Sequence, residues 1–242
     1  MIQLMKLPKM ILFDYAGTIV TEKKFILING TKELMNYVVH NPRNLTPDEI
    51  QKYATEINKK IDRKKLTLQN IEVPFLSFFK ILYGTLDISF SLPPEQLELA
   101  FWNNAAPTIA TPGIHMVLEA AKQAHIRTAV LCNSCFSEQA IRHRINKLIP
   151  ENEFEWIISS SEVILQKPSK EVFQLALSKA SLSASDVWYC GDSIREDIEG
   201  PDKVGIYPVW YNPRNLYFSG CNYLNVTDFS QLSRILIENN NR

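Results

Sequence analysis

The sequence predicts an α/β protein in which a parallel sheet flanked by helices is interrupted by an inserted all-helical cap domain. Three observations point there. Short apolar runs alternate with helix-like stretches through the second half of the chain. The block from Lys23 to Asn104 has helical periodicity and no comparable series of strands. With 242 residues, 45% of them hydrophobic and 21% charged, the chain can bury one sizeable core and still form a smaller module.

The strand-sized runs are Met10 to Phe13, Thr128 to Leu131, Glu155 to Ile158, Val187 to Cys190 and Ile206 to Trp210. They are nearly continuous in apolar residues, as suits strands buried on both faces. Helical stretches are expected at Ile114 to Gln123, Glu138 to Leu148, Lys170 to Ala180 and Asp197 to Lys203. Strand alternating with helix favours a parallel sheet covered on both sides.

In the insertion the clearest helix starts at Thr46, where Thr46, Pro47 and Glu49 form a capping box with proline at the first helical position. Ile50, Tyr53, Ala54, Ile57 and Ile61 then fall on one face. A polar turn is expected around Lys64 to Asn70, and further helices at Pro74 to Tyr83 and Pro94 to Trp102, about four helices in all. Thr18 to Lys24 mark the departure from the sheet domain, and Pro107, Pro112 and Gly113 the return. The expected division is residues 1–20 plus 108–242 for the core and 21–107 for the cap. Glu238 to Arg242 reads as a frayed tail.

Charge and cysteine usage narrow the function. Lysine plus arginine and aspartate plus glutamate number 26 each, so no net field draws the chain to nucleic acid or an anionic membrane. The apolar run that follows Lys9 stops at Asp14, too short for a signal or spanning segment, and a cytoplasmic location is expected. Cys132 and Cys135 form a C-x-x-C pair, which admits a zinc or redox reading. With no second pair or histidine cluster beside it, reduced, packed thiols are the expectation for all four cysteines. His40, His115, His125 and His143 have no partners at ligand spacing.

Open parallel sheets bind ligands at the carboxyl ends of their strands, so the polar residues after each apolar run carry the candidate chemistry. Asp14 follows the first run, with Ala16, Gly17 and Thr18 in a turn. Cys132, Asn133 and Ser134 follow the second, small polar groups and backbone N–H donors ahead of a helix and suited to an anion. Lys167-Pro168 lies beyond the third, and Gly191-Asp192-Ser193 with Asp197 follows the fourth. Acids with a neighbouring lysine suit a hard cation and a phosphate.

These four segments, in this order, resemble the motifs of the haloacid dehalogenase (HAD) superfamily: Ile11 to Thr18 its first, Leu131 to Ser134 its second, Lys167-Pro168 its third, and Gly191-Asp192-Ser193 to Asp197 its fourth. The helical insertion after the first motif resembles that superfamily's first-position cap. The resemblance implies a Rossmann-like core and a magnesium-dependent hydrolase of a small phosphorylated metabolite. Asp14 would be the nucleophile that forms an aspartyl-phosphate. Asp14, the Ala16 carbonyl and Asp192 would hold Mg2+, with Asp197 supporting its waters, and Lys167 would neutralise the transferring phosphoryl group. Cys132, Asn133 and Ser134 would cradle the phosphate.

The sequence departs from that pattern at two places. Ala16 stands where the phosphatases carry a second aspartate as general acid and base, a function worth about two to four powers of ten in rate. Cys132 stands where serine or threonine is usual, giving a weaker donor. Alanine at the first of these positions also resembles the phosphonoacetaldehyde hydrolases, in which a cap lysine forms a Schiff base. Lys52, Lys59 and Lys60 are the candidates for that part, although their spacing makes them the solvated face of their helix. A non-catalytic phosphate- or metal-binding module is a further alternative. The aromatics Phe75, Phe78, Phe79, Tyr83, Phe101 and Trp102 are expected to be mostly cap core.

Overall fold

The protein is described by a computed structural model covering residues 6–240; Met1 to Met5 and the last two residues of the tail lie outside the described residues. The chain starts with β1 (Met10–Phe13) and β2 (Val20–Glu22), then runs through α1 (Leu27–Met35), β3 (Val38–His40), α2 (Pro47–Ile61), α3 (Arg63–Leu68), α4 (Phe75–Thr85), β4 (Ser89–Phe90) and α5 (Pro94–Ala105). It returns through β5 (Thr108–Ala110), α6 (Ile114–Gln123), β6 (Arg127–Cys132), α7 (Glu138–Leu148), β7 (Ile157–Ser159), α8 (Ser160–Val163) and α9 (Lys170–Ala180). The last part holds β8 (Val187–Gly191), α10 (Gly200–Asp202), β9 (Tyr207–Tyr211), β10 (Leu224–Val226) and α11 (Phe229–Asn240).

Six strands form one parallel sheet in the order β10-β9-β8-β1-β6-β7, the Rossmann-like core expected from the alternation of runs. Every residue of β1 is buried. The period-2 alternation of a strand sends Ile11 and Phe13 into the core beneath α6, α7 and α11, and Met10 and Leu12 into the core beneath α9. Fully burying one such side chain is worth about 1.5–3 kcal/mol. The register pairs Phe13 with Val130 on one side and with Cys190 on the other, so Asp14 emerges level with Leu131 and Gly191. Three of the sequence-singled strand ends are thereby brought together.

The crossover leaves and returns through an antiparallel ribbon, β2 against β5, with Thr21 opposite Ile109. Between them the insertion is helical, with one addition that periodicity did not disclose: β3 pairs with β4 in a short antiparallel ribbon. Five helices are present where about four were expected. The added α3 occupies the expected polar turn, started by Asp62, whose side chain accepts from Lys65 N. Gly30 in α1 obscured that helix in the sequence; a Cβ there would sit 2.6 Å from the Phe101 ring, so only glycine lets α5 approach. The Thr46 capping box forms as read. On α2, Ile50 and Ala54 are buried, but Tyr53 is exposed with the Arg43 guanidinium over its ring.

Near the carboxyl terminus Glu238 to Asn240 continue α11 instead of fraying. The expected helix Asp197 to Lys203 is replaced by a π-helical turn, Ile194–Glu199, leading into α10. Such turns accommodate side chains that must reach a site, and Asp197 is one. Contacts at several points fasten insertion to sheet domain. The Arg144 guanidinium of α7 lies 3.9 Å from the Trp102 ring centroid, Glu98 accepts from Ser137 N at 3.0 Å, and Ile71 bridges to Leu165.

Candidate active site

At the centre of the sheet's carboxyl edge the Lys167 ammonium is buried and donates to three oxygens: Asp14 Oδ1 at 2.7 Å, Asp197 Oδ1 at 2.6 Å and the Tyr189 hydroxyl at 2.6 Å. Tyr189 in turn donates to the Leu131 carbonyl at 2.6 Å, which ties the ammonium to β6 and β8 together. Burial works against the Lys167 charge, but Asp14 and Asp197 more than offset it and hold the group well above the ordinary lysine value.

Asp192 closes the cluster. One oxygen each from Asp14, Asp192 and Asp197 lies within 4.8 Å of the others. Burial, partly countered by Lys167, lifts the Asp14 carboxyl to about 7. Asp192 still reaches solvent, yet desolvation by the surrounding protein and the charge of Asp197 push it to about 6. Three carboxylates face one ammonium, so the cluster carries uncompensated negative charge. Its donors are all oxygen. A hard divalent cation fits both properties, and the residues that could hold it are Asp14, Asp192, Asp197 and the backbone of the exposed Ala16.

Local geometry keeps the acids in place. Gly17 adopts φ +84°, which permits the turn after Asp14 and brings its backbone against Asp192. Asp197 Oδ2 accepts from Ser193 N at 2.9 Å, and Trp210 Nε1 donates to the Asp192 carbonyl at 3.1 Å.

The residues expected to cradle phosphate are arranged differently from the expectation. Cys132 is buried, its thiol directed to the Ile158 carbonyl at 3.8 Å and its ionisation pushed up by burial. Asn133 clamps the Lys167 backbone, its amide donating to Lys167 O at 2.9 Å and accepting from Lys167 N at 2.7 Å. The backbone donors ahead of α7 are largely engaged: Ser134 N binds Ser160 Oγ, Phe136 N binds Ser134 Oγ, and Ser137 N binds Glu98. A cap carboxylate already serves the positive end of α7, so the helix start is not an open anion site. Lys167 is the cation that an anion beside Asp14 would meet.

Two residues at this site went unread in the sequence. Tyr189 is one; its signal was a tyrosine hydroxyl inside an otherwise apolar strand, a group that needs a partner when buried. Glu72 is the other. It reaches from the insertion to Ser160 Oγ and Gln166 Nε2, each at 2.8 Å, and nothing in local periodicity marks it. Lys52, Lys59 and Lys60 are exposed on α2, Lys59 paired with Glu56. All four cysteines are free thiols. Among the described residues no helix is long and apolar enough to cross a membrane.

Comparison with known proteins agrees with this fold. Solved structures with the same fold include the 2-haloacid dehalogenase from Pseudomonas syringae pv. Tomato DC3000, with TM-score 0.63 and 16% identity, covering 96% of this chain and 99% of that one. A HAD phosphatase from Thermococcus onnurineus matches with TM-score 0.54 and 16% identity over 94% of this chain and 97% of that one. YfnB from Bacillus subtilis, bound to magnesium, matches with TM-score 0.54 and 18% identity over 96% and 99%. At these identities the likeness is one of fold. No curated protein sequence matches the chain. The sequence model of the haloacid dehalogenase-like hydrolases, however, matches residues 11–210, a span that runs from β1 through Asp14, Lys167 and Asp192 to β9, and the chain belongs to that family.

Proposed function

We propose that the protein is a magnesium-dependent hydrolase of a small phosphorylated metabolite, acting in the cytoplasm through an aspartyl-phosphate on Asp14. The observation that carries this reading is the Lys167 ammonium, 2.7 Å from Asp14 and 2.6 Å from Asp197, inside a cluster that also contains Asp192. A carboxylate oxygen of Asp14 attacks phosphorus and the ester P–O bond breaks, the leaving oxygen keeping the electron pair. Water then attacks the phosphorus of the aspartyl-phosphate, the Asp14 carboxylate departs, and inorganic phosphate and a proton are released. Lys167 neutralises charge on the equatorial oxygens, and Asn133 and Tyr189 hold it in place. Bound by Asp14, Asp192, Asp197 and the Ala16 backbone, magnesium would supply further positive charge at the transferring group. The balance of 26 cationic and 26 anionic residues supports a small-molecule partner over nucleic acid or a membrane.

One observation favours a second reading. Ala16 has no side chain to protonate a leaving group, which suits a phosphate- or metal-binding module without turnover. Phosphate release from a panel of phosphorylated metabolites with magnesium, for wild type and Asp14→Asn, separates the two. Release that disappears in the variant is expected. Release that persists in Asp14→Asn overturns the nucleophile assignment, and tight binding of a phosphate analogue without any phosphorylated Asp14 favours the module.

A further inference from the structure

Helices α1, α2, α4 and α5 and the Cys135-Phe136 segment enclose a cavity of about 320 Å³. Its wall is built of rings: Phe75 lies 4.9 Å from Phe101 and 5.2 Å from Phe136, and Phe79 6.0 Å from Phe75. No carboxylate lines it, and its one charged residue, Arg63, is laid over the Phe78 ring with its Nε bonded to Asn58. The polar groups on the wall are largely engaged within the chain: Gln51 Nε2 donates to Thr31 Oγ1, Thr31 to the Leu27 carbonyl, and Thr55 to the Gln51 carbonyl. At the lip Phe25 and Leu27 are 41% and 50% exposed, apolar surface left in water.

The cavity is joined to the phosphoryl site by the loop that leaves β6, which supplies Cys135 and Phe136 to its wall. Phe136 is three residues beyond Asn133, the residue that clamps Lys167, and three residues span at most about 11 Å. Phe75 N donates to the Cys135 carbonyl at 2.7 Å, which fixes the aromatic wall to the loop that leaves β6. Pockets for small ligands run from about 300 Å³ upward, and an apolar cavity of about 150 Å³ accepts benzene. This one therefore has room for a body about twice as large as a single ring. A sugar or other polyol would lose its water there with few partners in exchange.

The chemistry at Ala16 selects among apolar bodies. Without a general acid, departure of an alkoxide is slow, since aliphatic hydroxyls ionise only far above neutral pH, near water itself. A phenol ionises near 10, as tyrosine does, and its oxygen leaves as the anion. We propose that the cavity receives the aromatic leaving group of an aryl phosphate monoester, so that this substrate class combines the aromatic wall with the acid-free position at Ala16. The assignment rests on the phosphoryl-transfer reading of Asp14 and Lys167. Asp14 displaces the aryloxide, the P–O bond to the ring breaks with its electron pair going to oxygen, and the aryloxide takes its proton from solvent.

The test uses the full chain with magnesium and three phosphates: the esters 1-naphthyl phosphate and glucose 6-phosphate, and the mixed anhydride acetyl phosphate. The value of kcat/KM for 1-naphthyl phosphate should exceed that for glucose 6-phosphate at least 100-fold. Saturable binding of 1-naphthol, measured by calorimetry without any turnover, should be lost in Ala54→Phe, which fills the cavity, while the circular dichroism of the folded chain is kept. Should that variant fail to fold, Thr55→Trp, on the exposed edge of the same wall, takes its place. Equal turnover of glucose 6-phosphate, or naphthol binding untouched by the filling variant, overturns the proposal and leaves the phosphoryl-transfer reading standing. Naphthol binding that the variant abolishes, with no phosphate released from any of the three, has the opposite meaning: the cavity binds an aromatic body, but the phosphoryl-transfer reading falls and the leaving-group assignment with it.

Discussion

Gly17 and Asp192 touch across the mouth of the site: a Cβ placed on Gly17 would lie 2.6 Å from Asp192 Oδ2. The glycine also sits at φ +84°, a conformation that holds a non-glycine residue at a cost of about 1–3 kcal/mol. Gly17→Ala is therefore expected to lower stability by about that amount and to weaken magnesium binding at least tenfold, because Asp192 must move aside. Thermal denaturation and calorimetric titration of the metal check the two effects separately. Unchanged affinity would mean that the turn relaxes away from Asp192 instead.

Lys167→Met removes the cation that Asp14 and Asp197 share at 2.7 and 2.6 Å. Breaking a buried pair by deleting one partner costs about 3–5 kcal/mol, since the remaining charge is uncompensated. The sign with pH follows from Asp14. Its folded value, about 7, lies above the ordinary 3.8, so its contribution to stability is fully present below about 3.8 and is lost as pH rises through 7. Without Lys167 that loss deepens. Denaturant titrations at pH 5 and pH 8 should show a larger deficit for the variant at pH 8, and equal deficits would refute a role of the ammonium in holding the carboxylates ionised.

Magnesium binding should depend on pH through the same acids. Protons and metal compete for Asp14, at about 7, and Asp192, at about 6. Affinity is expected to rise about tenfold per unit between pH 6 and 7, more steeply below 6 where both protons must leave, and to level off above 7. A titration followed by calorimetry at several pH values measures this. A flat profile from pH 5 to 8 would exclude these two carboxylates as ligands.

How much of this was legible in the sequence depends on the range of the interaction. β1, α6, α7 and α9 lie where their apolar periodicity put them, because burial on the sheet is a pattern local to each segment. Asp14, Lys167, Asp192 and Asp197 were legible as strand-end polar residues; the register of β1 against β8 brings Asp14 to the Asp192 loop, and the Asn133 clamp brings in Lys167. Cys132 and Asn133 were legible as positions but not as contacts, since the chain's own Ile158 and Lys167 occupy the groups that were expected to face a ligand. The β3–β4 ribbon pairs residues about fifty positions apart in short strands, too brief for period-2 alternation to register. The Tyr189 and Glu72 contacts are tertiary, and spacing along the chain carries no trace of them.

Glu72 offers the most direct probe of how the insertion acts on Lys167. It belongs to the segment in which Glu72 N donates to Ile164 O at 2.6 Å and Gln166 N to Asn70 O at 2.7 Å, so insertion and core are zipped together immediately before Lys167. Its carboxylate adds bonds to Gln166 Nε2 and Ser160 Oγ, and Ser160 Oγ accepts from Ser134 N at 2.8 Å. One side chain thus joins the loop that carries Lys167 to the loop that carries Ser134. Glu72→Ala is expected to reduce kcat about ten- to a hundredfold, the scale on which misplacing a catalytic group by about 1 Å acts. KM for a small substrate such as acetyl phosphate should change little, because Glu72 does not touch the reacting atoms in this reading. Glu72→Gln, which retains one acceptor oxygen, should recover part of the loss. Equal damage from the two substitutions with a matching fall in melting temperature would reduce Glu72 to a general support of the interface, whereas a kcat defect in Glu72→Ala at an unaltered melting temperature assigns it to the positioning of Lys167.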